Sequence, residues 1–147
     1  MKKALVFVFL LLAFLASPSH AANFVEVISD EDFLVYIDID SIESRKDYGD
    51  EYIVSWVRMI PQDEMGKKLK KEYRSDVERI MTFAAFAPKR KQYQELRVII
   101  YGPKGKVIED NSMLFFSARY EEIVPESRGE TIYNFVISHY TKNRKKR

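Results

Sequence analysis

The chain contains no cysteine. That excludes a disulfide framework, a thiolate metal site and a cysteine nucleophile. It also removes the lipid-carrying cysteine that a bacterial-type lipoprotein needs just after its leader, where this chain reads Ala21, Ala22, Asn23. Histidine is nearly as scarce, with two among 147 residues. Outside the N-terminal leader only His139 remains, so a Ser-His-Asp arrangement would have to be built on a residue late in an apolar-striped helix. Glycine and proline number five each. No G-x-G-x-x-G or G-K-[ST] phosphate loop occurs. The same sparseness, with 14% aromatic residues, argues against disorder. These absences lead us to expect a protein that is not an enzyme and has no cofactor and no metal.

One long hydrophobic run is present, from Ala4 to Ala16. Lys2 and Lys3 precede it, and Pro18, Ser19 and Ala21 follow at once. That is the layout of a secretory signal peptide cut between Ala21 and Ala22. A retained membrane helix is the competing reading, but the run is short for a span of about 20 residues. The expected organisation is residues 1–21 as a cleaved signal, 22–141 as a single domain and 142–147 as a basic flexible tail. The mature chain is expected to be exported, periplasmic or secreted, without a lipid anchor or transmembrane segment.

Charge of neither sign dominates. Without Lys2 and Lys3 the 24 basic residues fall to 22, equal to the 22 acidic ones. The segment from Lys142 to Arg147 holds five of those basic residues, so the remaining body is acidic. No nucleic-acid partner is expected from that composition.

The patterning predicts an α+β domain: a bent, mainly antiparallel sheet packed by a C-terminal helix, with a further helix mid-chain. Phe24 to Ile28 and Phe33 to Asp38 read as a hairpin around the turn at Asp30-Glu31-Asp32. Arg45 to Asp50 reads as a charged loop. Glu51 to Ile60 alternates, with Tyr52, Val54, Trp56, Arg58 and Ile60 on one face and Ile53, Ser55, Val57 and Met59 on the other. Met65, Leu69, Tyr73 and Val77 recur every four residues, as in an amphipathic helix to about Tyr73, with a strand from about Val77. Gln92 to Tyr101 and Lys106 to Glu109 read as a hairpin around Gly102-Pro103-Lys104-Gly105. Asn111 to Arg119 has no clear pattern, and Glu121 to Val124 is extended up to Pro125. Ser127, with Glu130 three residues on, predicts a helix start with Ile132, Phe135, Val136 and His139 or Tyr140 on one face.

Two groups of residues are candidates for binding. Lys67, Lys68, Lys70 and Lys71, with the loop residues Lys89, Arg90 and Lys91, make a positive patch for sulfated glycans or acidic proteins if helix and loop lie close. Their alternative is a solvated helix face balanced by Asp63, Glu64, Glu72 and Asp76. Tyr52 and Trp56 are the candidate groove wall, the alternative being sheet packing with hydroxyls at the rim. Asp30, Glu31, Asp32, Asp38 and Asp40 cluster around the first hairpin, where turn capping competes with a hard-cation site.

Three segments in order carry a family resemblance: Tyr36-Ile37-Asp38-Ile39-Asp40-Ser41-Ile42 after the first strand, Tyr101-Gly102-Pro103-Lys104-Gly105, and Pro125-Glu126-Ser127-Arg128-Gly129-Glu130 leading into the last helix. With them the chain resembles the surface-adhesin protein E family of bacterial exported proteins. The resemblance implies a bent antiparallel sheet with a helix packed against it. It also implies kinship with lipid-anchored adhesins that bind host extracellular proteins. The chain departs from that pattern in lacking the lipobox cysteine and the cysteine pair. The expected function is an exported non-catalytic binding module of the cell envelope that recognises an unknown protein or glycan there or in the extracellular matrix. The alternative is a periplasmic small-ligand carrier or enzyme using a groove in the curved sheet.

Overall fold

The computed structural model describes residues 22–47, 49–112 and 120–145. The predicted signal at 1–21 lies outside them, as do most of the unpatterned 111–119 segment and the last two residues of the basic run.

Among the described residues eight strands and two α-helices follow in order: β1 (Phe24–Ser29), β2 (Phe33–Asp38), β3 (Glu43–Asp47), β4 (Asp50–Pro61), α1 (Asp63–Tyr73), β5 (Arg79–Ala87), β6 (Gln92–Tyr101), β7 (Val107–Ser112), β8 (Glu121–Glu122) and α2 (Arg128–Arg144). They form the α+β architecture expected. The sheet is open, every pairing is antiparallel, and its order is β1-β2-β4-β5-β6-β7. Two strands fill the remaining edges: β3 pairs with the first half of β4, and β8 with the start of β6. A bulge at Leu96 shifts the register between β5 and β6, and further shifts occur in β1 and at Tyr101. Such bulges bend a strand and add twist.

Arg45 to Asp47, expected in a charged loop, belong to β3. The strand Glu43-Ser44-Arg45-Lys46-Asp47 has no apolar alternation: the side chains of Glu43 to Lys46 are exposed, and backbone pairing to β4 holds the strand in place. Gly49, at φ +88°, supplies the left-handed residue of the turn into β4.

β2 and β3 run along one edge of β4, interrupted by a 3-10 turn over Ile39–Ser41. The interruption would leave a β4 N–H unpaired. The Ser41 hydroxyl oxygen accepts it from Trp56 at 2.9 Å and donates to the Asp38 carbonyl at 2.7 Å. The Asp38 carboxylate caps the same turn, accepting from the backbone N–H of Asp40 at 3.3 Å and of Asn23 at 3.0 Å. The aspartate and serine of the Tyr36–Ile42 segment therefore splice two strands onto one.

α2 packs on one face, here called inner. Tyr133 and Val136 join Val35, Ile37, Ile53, Val57, Ala84 and Phe86 in its core. Tyr133 is buried and donates its hydroxyl to the Pro88 carbonyl at 3.2 Å. The helix starts as its sequence predicts. Ser127 Oγ accepts from the Glu130 N–H at 3.2 Å, and the Glu130 carboxylate accepts from the Glu126 N–H at 2.8 Å. α2 runs on through Lys142 to Arg144, into the basic run.

Arg128 in the first turn of α2 ties the helix to the first hairpin. Its Nε donates to Asp30 at 2.5 Å and its Nη2 to Asp32 at 2.6 Å. Asp30 also accepts from the N–H groups of Asp32 and Phe33 across its own turn. Of the acidic cluster, Asp38 caps a turn, Asp30 both caps a turn and meets Arg128, and Asp32 meets Arg128. The Arg128 hydrogen bond, followed by that from Phe33, holds Asp30 down to about 2 from an ordinary 3.8.

Two predictions follow from these contacts. Ser41→Ala removes the acceptor of a part-buried N–H and should cost about 1–3 kcal/mol by urea unfolding; no loss would contradict the splice. The depressed Asp30 carboxylate stabilises the fold above its ordinary pKa, and that contribution is lost as pH falls from about 3.8 towards 2. NMR titration should place Asp30 near 2 in the wild type and closer to the ordinary value in Arg128→Met, with the variant losing the stability step in that window.

Candidate functional site

The outer face of the sheet, opposite α2, is built by the alternation of five strands. Register places Tyr36, Arg58, Met81, Ile99 and Asp110 in one cross-strand row, and Trp56, Phe83, Arg97 and Ser112 in the next. At one end Tyr52, Val54, Ala85, Ala87 and Leu96 form a second buried cluster, with Phe83 and Tyr120 packed against it. That cluster contains no helix residue.

Arginine guanidiniums lie on the aromatic rings of this face. Arg58 sits 4.1 Å from the Phe24 ring centroid and 4.6 Å from that of Tyr36. Arg45 lies 5.1 Å from the ring centre of Phe83, which packs on Trp56 with centroids 5.1 Å apart. Arg97 is held by two hydrogen bonds to Asp110, at 2.9 and 2.6 Å. Such contacts combine ring quadrupole, planar packing and charge. The Glu26 carboxylate across the hairpin, ahead of burial, raises the Tyr36 phenol, while Arg58 opposes the shift. Arg58 Nε is buried and has no hydrogen-bond partner among the described residues.

The two predicted groove residues occupy different environments on this face. Trp56 is half-buried in the open row. Tyr52 is only 6% exposed: it stacks on Tyr120 at 5.7 Å, and its hydroxyl accepts from Arg90 at 3.2 Å. Tyr52 closes one end of the face, and Trp56 marks where it opens.

The basic residues are not brought together. Lys67, Lys68, Lys70 and Lys71 lie on α1, before β5, whereas Lys89, Arg90 and Lys91 lie after it. β5, nine residues long, lies between them in the chain and itself spans about 30 Å at about 3.3 Å per residue. Lys67 pairs with Glu64 at 2.6 Å and Lys70 with Asp76 at 2.8 Å, while Lys68 and Lys71 are exposed on the same helix. Lys89 and Lys91 are exposed in the loop. Arg90 reaches the aromatic face: it pairs with Asp50 at 2.8 Å and lies 5.3 Å from the Tyr120 ring centre.

Sequence reasoning missed Arg45 and the pairing of Arg58 with Phe24. The usable signal was the alternation of β4, which sets Arg58 on the face of Tyr52 and Trp56. Arg45 had no signal, since β3 read as loop. A polar groove of about 630 Å³ separates the 3-10 turn and β3 from the end of α2, and His139 lines it. The His139 ring meets Asn143 at 2.8 Å, while Ser44 in the same groove donates to Glu51 at 2.8 Å.

No family model matches this chain, and no curated protein matches it in sequence. Among solved structures the fold is similar to protein E from non-typeable Haemophilus influenzae, at a TM-score of 0.50 and 9% identity, covering 86% of this chain and 84% of that one. At that identity the likeness is one of fold. Among the described residues no helix is long and apolar enough to cross a membrane.

Arg58→Ala removes two ring contacts at once. It should cost about 1–2 kcal/mol by urea unfolding. Arg58→Lys should recover less than half of that loss, because an ammonium lacks the flat stacking surface. Full recovery by lysine would show that charge alone acts there.

Proposed function

We propose that this chain is an exported, non-catalytic binding module of the cell envelope, related to the surface-adhesin protein E family. In this reading it recognises a protein or glycan partner through the outer face of its sheet. The observation that carries the reading is the pair of neighbouring open rows bearing Tyr36, Trp56 and Phe83, with Arg45 and Arg58 laid against rings. Tryptophan, tyrosine and arginine dominate the energetics of recognition surfaces because each offers a broad, stiff contact area with a polar edge. A strand-borne face is already rigid, so little ordering cost attends binding. The fold likeness to protein E supports the family reading, and the predicted signal at 1–21 supports export. The absence of a cysteine after that signal supports a module free of a lipid tether.

The basic residues act at the margins in this account. Lys67, Lys68, Lys70 and Lys71 at one end, and Lys89, Arg90 and Lys91 at the other, raise the encounter rate with an acidic partner, and salt screens that effect.

Immobilised protein exposed to envelope extract and to host matrix, at low and high salt, tests the proposal. The wild type should retain a partner in at least one of them. Trp56→Ala should lose it by about tenfold or more, as for a hot-spot residue. Absence of any retained partner, or undiminished retention by Trp56→Ala, would sink the reading.

A further inference from the structure

A second site lies on the inner face, between the sheet and the first turn of α2. The cavity there measures about 180 Å³ and is walled mainly by apolar side chains, among them Val57, Phe86 and Ile132. A cavity of about 150 Å³ holds a benzene molecule, so this one takes a small organic body.

Two polar groups line it without partners of their own. Thr82 is 5% exposed, and its hydroxyl has no hydrogen-bond partner among the described residues. A buried hydroxyl in that state is rare and costly, and a bound polar group relieves it. The Glu95 carboxyl also lines the cavity and makes no hydrogen bond or ion pair among the described residues. Burial, followed by the nearby Glu121 carboxylate, raises its pKa. Glu121 accepts from the Tyr93 hydroxyl at 2.9 Å and adds a second negative charge beside Glu95.

Arg128 and Gly129 in the first turn of α2 also line the cavity. Arg128 is compensated by Asp30 and Asp32 together. Ser127 and Glu130 cap the first turn. The charge left uncompensated at the cavity is the negative charge of Glu95.

We infer that this cavity binds a small primary ammonium compound with an apolar, benzene-sized body. Its cation meets the Glu95 carboxylate, one ammonium hydrogen goes to the Thr82 hydroxyl, and the body lies against Val57, Phe86 and Ile132. The site faces away from the outer rows and does not depend on their partner.

Calorimetric titration of the purified protein with benzylammonium chloride, and separately with benzyl alcohol and sodium benzoate, tests the inference. Benzylammonium should bind at least tenfold more tightly than benzyl alcohol, and benzoate more weakly than either. Glu95→Gln removes an uncompensated, partly buried charge, so it should fold at least as well as the wild type. It should bring the two affinities to within twofold, and Thr82→Val should weaken benzylammonium several-fold. Equal affinities for ammonium and alcohol in the wild type, a preference that survives Glu95→Gln, or no binding of either compound would overturn the inference.

Discussion

The Trp56 N–H ends on the Ser41 hydroxyl because β2 and β3 together do not span β4 without a break. β4 is the longest strand and is buried on both sides: Ile53, Ser55 and Val57 point inward, Tyr52 and Val54 outward. An interior strand needs all its ladder bonds, since an unpaired N–H in that position has no water to fall back on. The 3-10 turn lets the chain shift from β2 to β3, and the serine oxygen restores the bond the shift removes. Asp38, accepting from Asp40 and Asn23, keeps that turn in shape.

Two faces then have to be closed, and α2 closes only the inner one. It is pinned at its start by Arg128 to Asp30 and Asp32, in its second turn by Tyr133 to Pro88, and further along by Tyr140 to Glu51 at 3.1 Å. The outer face is closed in a graded way. At the Tyr52 end Val54 and Ala85 are fully buried. Towards Trp56, Phe83 and Arg58 the side chains are half-exposed, and flat guanidiniums take the place a helix would fill. Arginine and aromatic rings can do this without drying the surface, since each keeps a hydrated edge. The same grading leaves a stiff aromatic-basic area open to a partner.

Much of this architecture is legible in the chain. The ends of β2 and β6 follow from their apolar patterns bounded by turns, and the start of α2 from Ser127 and Glu130. β3 was not legible, because an edge strand held by backbone pairing needs no apolar side chains. Whether the two basic groups meet is not written in their spacing: α1 and the loop after β5 are close in sequence but attach at opposite ends of a strand. Tyr133 carried no mark separating a core tyrosine from a surface one; its place depends on how deeply α2 seats against Phe86. Glu95 and Thr82 share a cavity only after β5 and β6 pair across the Leu96 bulge and α2 covers them, so no local pattern points to it.

Trp56 is the sole tryptophan of the chain, and its fluorescence reads the outer face alone. Acrylamide quenching of that signal, measured with and without the fraction retained on the immobilised protein, tests the division of labour between the two faces most directly. The account predicts that the bound partner shifts Trp56 emission to shorter wavelength and lowers its quenching constant at least twofold. A partner that binds while leaving Trp56 emission and quenching unchanged would contradict it.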